Sequence, residues 1–332
     1  MRPDELEDVA ARHVPGQGSL AIRCLAKGLV NETYRVQRDG GTYALRVAAA
    51  NPFDFGVDRA WEARVLERAF RAGLAPVLEY CDPQRGILIL RWADGRAWTP
   101  AEVRRESNIS RMAELLRRIH ALPIPMPARA LSPMKWIDYY SAGNPMSSAG
   151  NPISSAANPV SAAAGVALRA AAQDRLAALA ALPGVEPRVC HSDLHTLNLL
   201  DCGPSLVLLD WEYAHASDPL WDLAGWSANN DLEEEFRREL LSKYMGRLPT
   251  RDEYLRLQLL GWLYDYVCLL WSELYLNLHR GAVHGAASGV AGAGAVPGTV
   301  PGTPPDGVAA RAQLLAARLI HPSSRADQVP AH

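Results

Sequence analysis

Residues 190–200, CHSDLHTLNLL, set a thiol, two imidazoles and a carboxylate within six positions. Cys190, His191, Asp193 and His195 are the residue types of a transition-metal site and equally those of a proton-transfer loop. The sequence downstream separates these chemistries. Asn198 stands five residues after Asp193, the turn Asp201-Cys202-Gly203-Pro204 follows, and the apolar run SLVLLD ends on Asp210, twelve residues beyond Asn198. Phosphoryl transfer from a nucleotide needs a carboxylate at the acceptor hydroxyl, an oxygen ligand on the same loop, and a second carboxylate that presents Mg2+ to the phosphates. Asp193, Asn198 and Asp210 supply those parts in that order. Magnesium takes hard oxygen ligands, whereas zinc would draw on the histidines and the thiol.

The elements that must position these residues are legible on both sides. ETYRVQRDGGTYALRV (32–47) places two β-rich runs around Asp39-Gly40-Gly41, the signature of an antiparallel hairpin. VDRAWEARVLERAFRAG then carries Trp61, Val65, Leu66, Ala69 and Phe70 at helical spacing and stops at Gly73. Glu62 shares a row with Val65, Leu66 and Ala69, so it is predicted to point inward, where a carboxylate needs a cation. The strand GILILRW ends at Ala93-Asp94-Gly95. Beyond it Thr99-Pro100-Ala101-Glu102 reads as a capping box, and Met112, Leu115, Leu116, Ile119 and Leu122 form an apolar stripe.

Three units follow at residues 142–162, AGNPMSS, AGNPISS and AANPVSA; their period suits neither helix nor strand, so a surface insertion without a packed core is expected. The Gly/Ala/Pro tract 281–307 reads as a linker, and VAARAQLLAARLI after it as a short helix. The expected organisation is an N-terminal lobe over 1–95, a helical lobe over 96–280 that carries the insertion, and a flexible tail over 281–332.

His191-x-Asp193-x-x-x-x-Asn198, an aliphatic strand, DWEYA (210–214) and DPLWDLA (218–224) together resemble the aminoglycoside phosphotransferase and choline kinase superfamily, over residues 20–280. The resemblance implies an α+β, protein-kinase-like fold in two lobes, an antiparallel sheet with one helix above a mainly helical lobe, and ATP and Mg2+ as cofactors. It implies Asp193 as the catalytic base and Asn198 and Asp210 as magnesium ligands. GLVNETYRV (28–36), with Asn31, is similar to the nucleotide-covering loop. Arg46 would hold the α- and β-phosphates, paired with Glu62; Ala44 would lie over adenine; Arg91–Ala93, with Trp92, would be the hinge beside it. His191 and Asp222 would support the catalytic loop. Two features depart from protein kinases: Arg46 stands where they have Lys, and no full G-x-G-x-x-G is present.

The acceptor is encoded less directly. LLGWLYDYVCLLWSELYL (259–276) puts Trp262 and Asp265 on one helix face, with Tyr266 nearby, and aromatic faces plus a carboxylate suit a cationic alcohol. Glu212 of DWEYA joins them as a candidate. Choline or ethanolamine is expected first, then thiamine, then an aminoglycoside or amino sugar. Two other classes compete: a catalytically silent nucleotide-binding regulator, and a zinc or iron hydrolase built on His191, Asp193 and His195.

Composition narrows the setting. The net charge of −2, with no dense Lys/Arg cluster, argues against a nucleic-acid partner. An acidic start and the lack of an 18-residue apolar run lead to the expectation of a cytoplasmic chain with no membrane partner and a small-molecule alcohol as substrate. Oligomeric state has no sequence signature. Five scattered cysteines without a C-x-x-C pair are expected to be reduced.

Overall fold

The computed structural model describes residues 1–28, 30–49, 55–143, 162–285 and 305–320. Most of the repeat insertion and the 286–304 part of the linker lie outside the described residues, as does the tail after 320.

Five strands, β1 (Ala21–Lys27), β2 (Asn31–Arg38), β3 (Gly41–Ala48), β4 (Leu78–Asp82) and β5 (Ile87–Arg91), form an antiparallel sheet in the order β1-β2-β3-β5-β4. The predicted hairpin is present. Arg38 pairs with Gly41, and the turn residues Asp39 and Gly40 both have positive φ (48° and 76°), the backbone a two-residue hairpin turn requires. Period-two alternation sends Tyr43, Leu45 and Val47 to one face of β3 and Ala44 and Arg46 to the other. The first face is covered by α1 (Pro3–His13) through Leu6, Val9 and Ala10. One helix was expected in this lobe and there are two, because the apolar row of α1 is hidden among its charges.

The second face meets α2 (Arg59–Arg71), capped by Asp58, whose carboxylate accepts the Trp61 amide at 2.9 Å. Glu62 points inward as the row predicted, 3% exposed. The core under α2 runs without interruption into the helical lobe.

That lobe begins where the Arg96 and Asp201 backbones pair, Asp201 N–H donating at 2.8 Å. The capping box between Thr99 and Glu102 opens α3 (Pro100–Val103), and α4 (Glu106–His120) buries the predicted stripe as far as Ile119, with Leu122 buried in the turn beyond it. Then come α5 (Pro133–Gly143), α6 (Ala162–Ala181), α7 (Leu220–Asn229), α8 (Glu234–Met245) and α9 (Arg251–Gly285). Between α6 and α7 lie two short antiparallel pairs, β6 (Arg188–Cys190) with β9 (His215–Ser217) and β7 (Leu199–Asp201) with β8 (Leu206–Leu208). Helix α9 is the central post, and α7 approaches it so closely that a Cβ on Gly225 would sit 2.8 Å from the Tyr264 ring. The short helix expected in the tail is α10 (Pro305–Ile320). It docks on α9 and buries Val308, Ala312, Leu315 and Leu319, so this part of the tail is integral to the lobe.

Candidate active site

The loop between β6 and β7 holds Asp193 almost wholly buried, at 2% exposure. Asn198 Nδ2 donates to both Oδ2 and the backbone oxygen of Asp193, each at 3.0 Å. A five-residue spacing therefore becomes a clamp: the amide nitrogen fixes the carboxylate, leaving the Asn198 Oδ1 as a hard oxygen donor. Asp193 Oδ1 is buried without a hydrogen-bond partner, and His195 Nε2 lies 3.6 Å from Oδ2. A buried carboxylate oxygen in this state is costly unless a ligand completes it.

Both ring nitrogens of His191 are engaged by the backbone. Its Nε2 lies 2.8 Å from the Leu209 carbonyl, its Nδ1 accepts the Asp193 amide at 3.3 Å, and burial lowers its pKa, which keeps it neutral. Asp222, at the start of α7, accepts the amides of His191 (2.9 Å) and Ser192 (2.8 Å), the latter a non-glycine residue at φ 71°. Burial alone would raise the Asp222 pKa. The contact with His120 Nε2 at 3.2 Å and the amide of Ser192 outweigh it and hold the carboxyl below its usual range. His120 was missed in the sequence, although it extends the buried row Met112, Leu116 by one more turn. His120, Cys190 and Asp222 bring potential ligand atoms within 4.8 Å of one another. Burial drives the Cys190 thiol well above its ordinary pKa, its Sγ lies 3.4 Å from the Asp218 carbonyl, and Asp222 is spent on the loop amides.

The strand expected to end on Asp210 is β8, which stops at Leu208; Asp210 caps the short helical turn after it, in a left-handed conformation (φ 58°). Arg46 Nη1 donates to its Oδ1 at 2.8 Å, while Arg46 Nη2 bonds Glu62 Oε1. The pairing of Arg46 with Glu62 is thus present, within a larger network. Arg59 Nη1 reaches Glu62 Oε2 at 3.0 Å and Glu212 Oε2 at 2.9 Å, and Asn31 Nδ2 donates to the same Glu212 oxygen at 2.6 Å. Burial pushes the Asp210 pKa up, and Glu212 pushes it further, against the pull of Arg46. Arg59, at i−3 from Glu62 on the helix, shares that carboxylate with Arg46 rather than displacing it, and its further reach to Glu212 has no local signal in the sequence.

Two expectations about placement need correction. Glu212 was expected on the acceptor side; it is 2% exposed and locked to Asn31 and Arg59, because the short helical turn after Asp210 aims it at the sheet lobe. Trp262, Asp265 and Tyr266 do not meet the catalytic loop either. Trp262 stacks on Tyr266 at 5.5 Å, with the Arg175 guanidinium 4.2 Å from its ring, and Trp262 and Asp265 line a separate cavity. The face of α9 turned to the loop is the opposite one, two residues on: Tyr264, Val267, Cys268 and Trp271, at i, i+3, i+4 and i+7. With Trp136, Tyr140, Ser192, Tyr213 and Trp221 these residues enclose a small aromatic cavity of about 30 Å3. Asp193 is near enough to raise the phenol pKa of Tyr140, Tyr213 and Tyr264, although burial is the larger cause.

At the hinge, the Arg91 amide donates to the Val77 carbonyl at 2.8 Å and the Trp92 amide to the Thr42 carbonyl at 2.9 Å. Trp92 therefore gives its N–H to the sheet. Its ring is 36% exposed, with the Arg35 guanidinium 5.1 Å away, and Ala44 pairs with Leu90 beside it.

A small antiparallel lobe and a helical lobe, with an Asp–Asn loop and a second Asp on the strand behind it, define the kinase-like class. The chain belongs to the phosphotransferase enzyme family, whose model matches residues 21–260. It is similar to protein LicA of Haemophilus influenzae, 24% identical over 229 residues that cover 66% of this chain and 61% of the relative. It is also similar to thiamine kinase of Escherichia coli, 34% identical over 96 residues, 29% of this chain and 31% of the relative. The chain thus spans less than two thirds of the length of either curated relative. Among solved structures, a choline/ethanolamine kinase family protein of Mesorhizobium loti superposes with a TM-score of 0.65 at 25% identity, over 95% of both chains. The choline kinase LicA of Streptococcus pneumoniae gives 0.65 at 18% identity, over 96% of this chain and 98% of that one. Among the described residues no helix is long and apolar enough to cross a membrane.

Proposed function

We propose that this chain transfers the γ-phosphoryl group of ATP to the hydroxyl of a small cationic alcohol, of the choline or ethanolamine type. The observation that carries the proposal is the aromatic cavity against the loop: Trp136, Tyr140, Tyr213, Tyr264 and Trp271 around a space lined also by Ser192, the residue before Asp193, whose charge is felt by three of the tyrosines. Aromatic faces attract a quaternary ammonium, and a carboxylate at the mouth completes its charge while reaching the hydroxyl. At about 30 Å3 the space admits one methyl group, so the rings must part for a whole head group.

In this mechanism Asp193 orients the hydroxyl and takes its proton through the oxygen that has no protein partner. Asn198 holds the other oxygen still, and Asp222 holds the loop's amides. Arg46 steadies the phosphates from β3, with Glu62 and Arg59 fixing its guanidinium. Asn31 lies at the start of β2, where the covering loop meets Glu212. Ala93 is the residue of the hinge whose amide remains for adenine, beside Ala44 and the Trp92 carbonyl. Asp210 and the Asn198 Oδ1 form a hard-oxygen pair suited to Mg2+, which when bound offsets phosphate charge during transfer.

The matched segment of thiamine kinase favours thiamine as a second reading, since thiamine too is a cationic primary alcohol. ADP release with ATP, Mg2+ and a panel of choline, ethanolamine, thiamine and aminoglycosides tests both. A kcat/KM for an uncharged alcohol equal to that for the cationic ones would remove the proposal.

A further inference from the structure

Helix α10 follows α9 in sequence only after residues 286–304, yet it is hydrogen-bonded to the support of the catalytic loop. Its apolar row, Val308, Ala312, Leu315 and Leu319, seats it on the helical lobe, and in that seat Arg311 meets the end of α7. Arg311 Nη2 donates to Asn229 Oδ1 at 2.7 Å. Asn229, the last residue of α7, spends its Nδ2 on two groups of the site: the Leu194 carbonyl at 2.9 Å and Tyr264 Oη at 3.0 Å. Leu194 is the residue after Asp193, and Tyr264 lines the aromatic cavity.

Which way the Asn229 amide faces matters. Turned round, it would set an oxygen against the Leu194 carbonyl, an acceptor against an acceptor. A guanidinium on Oδ1 selects the donating arrangement, and a charged donor at one end of the amide strengthens the bonds made at the other. Asp222 already holds the loop by the amides of His191 and Ser192, before Asp193; Asn229 holds it by the carbonyl that follows. The base is thus fixed along the chain from both sides. The charge of Arg311 is also felt at the cavity wall: burial pushes the Cys268 thiol up to about 12 and the Tyr264 phenol up, and Arg311 draws both back.

We infer that Arg311 is a positioning residue for the proposed reaction, acting through Asn229 to fix the Leu194 carbonyl beside Asp193 and the Tyr264 hydroxyl at the acceptor cavity. The inference rests on Asp193 as the base, and it makes the C-terminal helix a working part of the site.

The test compares Arg311→Gln with Arg318→Gln in the full chain. Arg318 stands on the same helix and pairs with Asp231 and Asp265, so its loss loosens α10 without touching Asn229. Hydrogen exchange without nucleotide or alcohol should be faster by about fivefold or more at the amides of residues 191–198 in Arg311→Gln, as for the loss of one hydrogen bond, and unchanged there in Arg318→Gln. In turnover with ATP and the best alcohol, Arg311→Gln should lower kcat by about tenfold to a hundredfold, the cost of a displaced base, and leave KM for ATP unchanged. In an Asn229→Ala background the same substitution should cost nothing further. Exchange is read without any acceptor, so failure of the proposed reaction and failure of this inference are told apart. Unchanged exchange at 191–198 in Arg311→Gln, an equal loss in Arg318→Gln, or additive losses in the double variant would each overturn it.

Discussion

Arg46, on the third strand of the sheet, donates to Asp210, 164 residues later in the helical lobe, at 2.8 Å, and with its other terminal nitrogen to Glu62. One guanidinium thus ties β3, the helix α2 behind it and the carboxylate that follows β8 into a unit.

Arg46→Lys keeps the charge but cannot serve both carboxylates with a planar fork. Its expected effect is a rise in KM for ATP of about tenfold, on the order of one charge-assisted hydrogen bond, with a smaller change in kcat. Steady-state kinetics in ATP at fixed alcohol read this out. A fall in kcat alone would place Arg46 at the acceptor instead.

Asp193→Asn removes the base while keeping the shape and the contact to Asn198. Turnover should fall by about 10² to 10⁴, the usual worth of general-base chemistry, while a fluorescent ATP analogue still binds. Turnover near wild type would assign the proton transfer elsewhere.

Trp271→Ala opens the aromatic cavity on the α9 side, where Trp271 Nε1 otherwise donates to Tyr213 Oη at 3.1 Å. KM for a quaternary ammonium alcohol should rise by about tenfold or more, given about 2 kcal/mol for a desolvated cation–π contact. Trp262→Ala, by contrast, should leave that KM unchanged, because Trp262 faces α6 and the second cavity. Equal effects from the two variants would sink the assignment of the acceptor face.

His215 lies wholly buried between the catalytic loop and Trp136, its Nδ1 within 3.0 Å of Ser192 Oγ and 2.9 Å of the Tyr213 carbonyl. Burial lowers its pKa from 6.5 to about 4. Between those values the unfolded chain takes up a proton that the folded chain refuses, so this contribution to stability is full above pH 6.5 and is lost as pH falls toward 4. Its size is at most about 3 kcal/mol, from the free energy of a pKa unit. Urea midpoints measured across that window should fall less steeply in His215→Gln than in wild type. Identical slopes would show that another group sets the acid limit.

Residues with a fixed order along the chain were readable in advance. Asp193 and Asn198 share one loop, and Asn198 and Asp210 flank the hairpin of β7 and β8, which closes where the Leu209 amide donates to the Asn198 carbonyl, so short-range order holds the three near one another; Glu62 betrayed itself as a charge in an apolar row. Contacts across the lobes left no such mark. Arg59 joins Glu62 and Glu212, 153 residues apart from the latter, and nothing local distinguishes it from its exposed neighbours. The face of α9 that meets the Asp193 loop was not legible for a different reason. Helix α9 carries aromatics nearly all round, so periodicity could not choose between the row of Trp262 and the row of Trp271, and only the close pass of Gly225 against Tyr264 fixes the rotation.

The five charged side chains joined through Arg46 also set an electrical condition on entry. With all five ionised, Glu62, Asp210 and Glu212 outnumber Arg46 and Arg59 by one negative charge in a cleft screened from bulk water, and burial together with that surplus raises the Asp210 pKa. A bare triphosphate arriving there is repelled, and one that carries a divalent counter-ion is not. Nucleotide and cation should therefore enter as one species, and affinity for ATP should climb with the fraction already complexed in solution.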